Sequence, residues 1–283
     1  RVGNVRPYGN YPTSNTLFNA MRPFPQYSTI AMQNPATGQT WYDSLQVKAT
    51  HRLSRGLQVN GVFTWSKSLQ NIRPNLFLAS NKSHQATDQP FLFNLNILYM
   101  TQRYGGKKWM QEALRDWQLG AFLQYSSGLL MAPPAATNTN FIGGSEMYRV
   151  AGQPLYLKDL NCGCINPYTD VVLNPAAWAN PANGGFGPAT GTYYSDFRAA
   201  RRPIENFNLG RTFRLTERVT FSLRAEFVNI FNRLQIGNPG LTAPGTAPSK
   251  NAAGQYSGGF GVVNLTVSGP NTAPTVTQNN VVG

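Results

Sequence analysis

The chain has 283 residues, of which 12% are charged and 12% aromatic, and it carries a formal charge of +13. Charged residues are about half as common as the roughly 25% of an ordinary soluble domain. That argues against a soluble enzyme and suits a wall with lipid on one side and water on the other. No window approaches the roughly 18 consecutive apolar residues of a membrane helix, so a membrane-spanning form of this chain must cross with strands.

The first clear signal is a period of two. From Leu45 the odd positions read Leu45, Val47, Ala49, His51 and Leu53, and the even ones Gln46, Lys48, Thr50 and Arg52. After a turn at Ser54-Arg55-Gly56 the parity repeats, with Leu57, Val59, Gly61, Phe63 and Trp65 against Gln58, Asn60, Val62, Thr64 and Ser66. These runs predict a hairpin of strands about 44–54 and 57–68 with one apolar and one polar face. A second pair is expected at 90–101 and 116–127, where Phe91, Phe93, Leu95, Ile97 and Tyr99 answer Trp117, Leu119, Ala121, Leu123 and Tyr125. Their connection contains Gly105-Gly106-Lys107-Lys108 and a helical turn from Met110 to Leu114. A third pair spans 204–215 and 219–231 around Thr216-Glu217-Arg218, with Phe207, Leu209, Phe213, Phe221, Leu223 and Phe227 on its apolar face.

Connections within pairs are short apart from the middle one. Those between pairs run from about Leu69 to Gln89, from Gly128 to Pro203, and from Asn232 onward, and they are rich in Asn, Pro, Gly and Ala. The fold class expected is therefore all-β, an antiparallel meander that forms part of a large outer-membrane barrel with long extracellular loops. A soluble β-sandwich predicts the same alternation. Strand length, the loop asymmetry and the aromatic strand ends favour the membrane. In that frame the short turns at Arg55, Lys107 and Glu217 are periplasmic, and Trp65 and Phe227 approach the outer interface. Tyr99, Trp117 and Phe213 approach the periplasmic one. His51 and Arg211 break the apolar face near the periplasmic rim, where a charge costs roughly 0–1 kcal/mol.

The polar face supplies the candidate lumen-lining or plug-contacting residues: Lys48, Arg52, Asn60, Asn94, Gln124, Arg214, Arg224 and Glu226. Arg224 and Glu226, two apart on one face, are expected to form an ion pair that holds the wall together. In the loops Tyr148, Tyr156, Trp178, Tyr193 and Tyr194 are candidates to stack on a sugar or chelate, or else to anchor the loops. Cys162 and Cys164 flank one Gly, which leaves loop thiols or a strained local bridge. No further metal ligands accompany them, so neither a metal nor a cofactor is expected.

Catalytic chemistry is not expected either. Ser83, His84 and Asp88 stand close in sequence, but local proximity is a poor sign of a triad. No nucleophile-elbow, phosphate-loop or metalloprotease motif occurs. The basic residues are scattered singly, with Lys107-Lys108 and Arg201-Arg202 the densest clusters. That distribution argues against nucleic acid and fits attraction to an anionic surface such as lipopolysaccharide.

Several segments resemble the C-terminal barrel region of TonB-dependent receptors of the Oar-like, carboxypeptidase-regulatory-domain type found in Acidobacteria. They are Arg22-Pro23-Phe24-Pro25-Gln26-Tyr27, Tyr42-Asp43-Ser44-Leu45-Gln46-Val47-Lys48, Phe63-Thr64-Trp65-Ser66-Lys67-Ser68, Asp116-Trp117-Gln118-Leu119 and Ser126-Ser127-Gly128. The most specific is the run from Arg224 through Asn232, followed by Gly237-Asn238-Pro239. The resemblance implies a 22-stranded barrel around a plug in the outer membrane of a Gram-negative bacterium. It also implies TonB-powered uptake of a siderophore, oligosaccharide or peptide. Residues 1–283 would be part of such a barrel, with the plug, the TonB-contacting N-terminal part and the closing strand lying elsewhere. The chain opens at Arg1 without Met or a signal peptide and ends in polar Asn279-Asn280-Val281-Val282-Gly283, as an internal piece would. The partners expected are outer-membrane lipid and lipopolysaccharide, the remaining barrel and plug, and TonB. A structural or adhesive surface protein that assembles from several chains is the alternative.

Overall fold

A computed structural model describes residues 7–12, 14, 17–27, 38–72, 81–102, 105–137, 146–182, 188, 191–216 and 218–263. Glu217 of the third turn, residues 73–80 of the first long connection and the Asn279–Gly283 ending lie outside the described residues. The elements are α1 (Leu17–Ala20), β1 (Gln39–Ser54), β2 (Leu57–Ile72), β3 (Asn81–His84), β4 (Phe91–Met100), α2 (Lys108–Leu114) and β5 (Trp117–Ser126). There follow β6 (Tyr148–Arg149), β7 (Trp178–Ala179), β8 (Ile204–Arg214), β9 (Thr220–Phe227), β10 (Ser249–Lys250) and β11 (Tyr256–Gly258).

Six strands form one antiparallel meander in the order β1-β2-β4-β5-β8-β9, with β3 added to the far end of β2. Among these six strands every pairing except Ser54↔Leu57 at the first turn joins odd positions to odd and even to even, so the two faces read from the sequence continue across the sheet; β3 alone pairs with the opposite parity. One row reads His51, Val59, Ile97, Ala121, Phe207 and Phe227. That row also climbs. His51 lies four positions from Arg55 (51 to 55), whereas Phe207 lies seven from Arg214 (207 to 214). Strands inclined to the line of their turns are what a closed barrel requires.

The six expected strands are present with altered ends. β1 and β2 reach Gln39 and Ile72, beyond the expected 44 and 68, because pairing continues through Asp43↔Lys67 and Gln39↔Asn71 after the apolar alternation has faded. β9 stops at Phe227 rather than 231, where Asn229 turns to a positive φ of 52° and its backbone N–H bonds to the Asn206 side chain. The helical turn before β5 is the seven-residue α2. Its Ala113 carbonyl accepts from the Trp117 indole, which ties the helix to the strand. At the β1–β2 turn Gly56 has φ +85°, and a Cβ there would lie 2.1 Å from the Met100 carbonyl oxygen. Only glycine permits that approach.

The buried core is not in the sheet. The large apolar side chains of β1, β2, β4, β5, β8 and β9 stay outside it. On the odd face Leu45, Val47, Trp65, Phe91, Phe221, Leu223 and Phe227 are exposed. The core instead lies in the long connections, where Met131, Met147, Leu155, Val172, Leu173, Trp178 and Phe197 pack with Phe260 and Val263. Val172 N–H donates to Gly261 O, and bridges join Val171 to Val262 and Pro239 to Val263. The expectation of plain loops at 128–203 and after 232 is corrected: the two segments fold together into a cap. Full burial of Phe197, Phe260, Leu173 and Val172 contributes about 1.5–3 kcal/mol each. Their spacing along the chain is irregular, so no periodicity announces them.

Candidate functional site

The even face of the meander is mainly polar, with Val62, Leu92, Leu98, Phe122 and Ile204 among its apolar exceptions. Lys48 faces Val62, which leads to Asn94, Gln124 and Ile204 in one row. Thr50, Asn60, Asn96, Phe122 and Asn206 form the next. Thr50 donates from its hydroxyl to Asn60 Oδ1 at 3.1 Å. Toward the turn end Arg224 pairs with Glu226 at 3.0 Å, and Arg214 reaches Asp116 at 3.5 Å. These pairs are exposed, so each contributes little to stability; their effect is to set a charged, water-compatible surface. Lys48, Asn60, Asn94, Gln124, Arg214, Arg224 and Glu226 therefore share one face. Arg52 has their parity, at a register irregularity between His51 and Ser54.

On the odd face the two polar departures have local reasons. Arg211 lies over the rings of Trp117 at 5.2 Å and Phe213 at 4.7 Å and donates to the Glu112 carbonyl. His51 Nδ1 sits 3.2 Å from Leu57 O across the hairpin turn. A third departure escaped the sequence reading. Glu205 pairs opposite Leu123, yet it is only 1% exposed; it accepts from the Tyr125 hydroxyl at 2.8 Å and pairs with Arg233 at 2.6 Å. Residues after β9 thereby fold back and cover it.

The cap is bolted to the sheet by Asp88. Its carboxylate accepts from Ser68 N–H at 2.7 Å and from Arg198 Nη2 at 2.7 Å, and lies 3.3 Å from His84 Nδ1. Arg198 also donates to the carbonyls of Asp88 and Gly128. Ser83 turns elsewhere, its hydroxyl donating to Gly191 O at 3.2 Å rather than to the His84 ring.

A family model described as an outer membrane beta barrel domain matches residues 3–270. The chain belongs to that family. This outer membrane beta barrel domain is therefore a protein of the outer membrane. No curated protein and no solved structure matches it.

The loop aromatics divide once the cap is seen. Trp178 is 6% exposed and packs against Phe197 and Tyr194, so it is an anchor of the cap and offers no stacking surface. The Tyr156 hydroxyl is held twice, donating to Arg198 O and accepting from Arg198 N–H, and burial pushes it up to about 12. Tyr194 packs beside the core under Arg149, which pairs with Asp196 through two bonds of 2.8 and 3.0 Å. Tyr148 is exposed and Tyr193 half-buried, and these two keep surface for a ligand. Cys162 and Cys164 are bonded to each other, with Cα atoms 5.1 Å apart, which resolves the choice left by the sequence. Of the aromatics expected at the membrane interfaces, Tyr99, Trp117, Phe213 and Phe227 lie at or next to strand ends, beside Leu57, Arg211, Phe221 and Phe207, whereas Trp65 lies mid-strand in the extended β2, between Leu45 and Phe91.

Proposed function

We propose that this domain is a wall segment of a TonB-dependent transporter in the outer membrane of a Gram-negative bacterium. It would take up a siderophore, oligosaccharide or peptide and carry out no covalent chemistry. The observation that carries the reading is the mainly polar even face over six strands, backed by an odd face whose Leu45, Val47, Trp65, Phe221, Leu223 and Phe227 side chains are exposed. Such a wall needs water inside and lipid outside. Six strands fall short of the roughly eight of the smallest single-chain barrels, and among the described residues β1 and β9 are the end strands of the sheet. Further strands complete the wall in this reading, a plug contacts Lys48, Arg224 and Glu226 from within, and the cap faces the cell exterior. Lipid and lipopolysaccharide are its surroundings, TonB its power source and nucleic acid no partner.

Uptake in cells that carry the whole gene is the test, using labelled ferric chelate, oligosaccharide and peptide in parallel. Accumulation of one class that stops when TonB is deleted is the expected result. Uptake that continues without TonB, or none of any class, would refute the transporter reading. The two end strands also favour a second reading, in which copies of the chain join edge to edge as an adhesive or structural surface protein. Oligomers that survive mild detergent would support it, and strictly monomeric material would exclude it.

A further inference from the structure

We propose that a cleft of about 780 Å³ beneath the cap binds a phosphorylated lipid of the outer leaflet, with acyl chain on its apolar wall and phosphate on Arg201. The inference rests on the cap facing outward. One wall is the end of the odd, lipid-facing surface, Phe91, Phe93 and Tyr125; the other is cap, with Leu160, Ile165 and Ile236. The volume is that of a small-molecule site, and the apolar wall is continuous with the surface that meets acyl chains in the proposed orientation.

The polar part of the cleft is cationic. No acidic residue lines it, while Arg201 and Arg233 both do. Arg233 is engaged by Glu205. Arg201 forms no ion pair among the described residues, and its backbone N–H is fixed by Asn161 Oδ1 at 2.8 Å. The Cys162–Cys164 bridge closes the short loop that carries Gly163 at the cleft's edge. Arg201 is exposed at the cleft, and a guanidinium beside an apolar wall recognises a phosphate through charge-assisted hydrogen bonds. A neutral lipid would leave it uncompensated, and a free phosphate would leave the apolar wall bare.

The complete protein, purified in detergent, tests this when titrated with phosphorylated lipid A, dephosphorylated lipid A or inorganic phosphate and assayed by native mass spectrometry. Retention of phosphorylated lipid A is expected, with at least a tenfold loss in Arg201→Glu and in Leu234→Ser, an exposed residue of the apolar wall. Arg218→Ala, in the short turn, should retain the lipid unchanged. Equal retention by wild type and Arg201→Glu, or of both lipid forms, would overturn the proposal. Displacement of the lipid by equimolar inorganic phosphate would overturn it too, in favour of a bare anion site. Heat-modifiable migration on gels reports insertion as a folded barrel independently. Failure there would sink the membrane orientation, whereas normal migration without lipid retention would sink only the cleft assignment.

Discussion

Glu146 is buried in the cap with one oxygen accepting from Gly191 N–H at 2.8 Å, while its Oε2 has no partner among the described residues. Loss of hydration dominates, and it pushes the carboxyl from its ordinary 4.5 up to about 7. At about 1.4 kcal/mol per pH unit, that places roughly 3–4 kcal/mol of strain on the ionised cap. An acid whose folded value is raised favours folding below the unfolded value, and the advantage is lost as pH rises through the folded one. Cap stability should therefore fall between about pH 4.5 and 7 and level off above. Glu146→Gln keeps an oxygen for Gly191 and removes the charge, so it should stabilise the cap at pH 8 by about 1–3 kcal/mol and leave it nearly unchanged at pH 4.5. Hydrogen-exchange protection of the Val172 and Phe197 amides, both bonded within the cap, measures this. Equal protection of wild type and variant at pH 8, or an equal gain at both pH values, would refute the reasoning.

Three further outcomes follow from the two faces and the cap. Leu95→Arg, on the odd face in mid-strand, should cost about 2–4 kcal/mol in lipid, while its even-face neighbour Asn96→Arg should cost little; urea unfolding in vesicles compares them, and equal costs would contradict the assigned orientation. Arg198→Ala strands the buried Asp88 carboxylate and should loosen the cap by about 3–5 kcal/mol. Faster proteolytic cleavage within residues 128–203 reports it, and adding Asp88→Asn should recover part of the loss. Trp178→Ala opens a cavity beside Phe197 and should cost about 3–5 kcal/mol without altering the barrel's heat-modifiable migration.

The sequence by itself determined the wall. Alternation has a period of two because successive strand side chains point to opposite faces, and it survives intact in the pairing of Leu45 with Trp65 and Phe91, and of Phe207 with Phe227. Few charges and many aromatics did the rest, and the family match agrees. Tertiary structure alone decided the cap. Its core residues, from Met131 to Phe260, come from irregular segments brought together by contacts distant in sequence, such as Val171 with Val262, which leave no period to read. Distance along the chain also hid Glu205, whose partner Arg233 reaches it only after the chain has turned at Asn229 and doubled back. It also decided which loop aromatics remain available, because burial of Trp178 depends on Phe197 and Tyr194 closing over it.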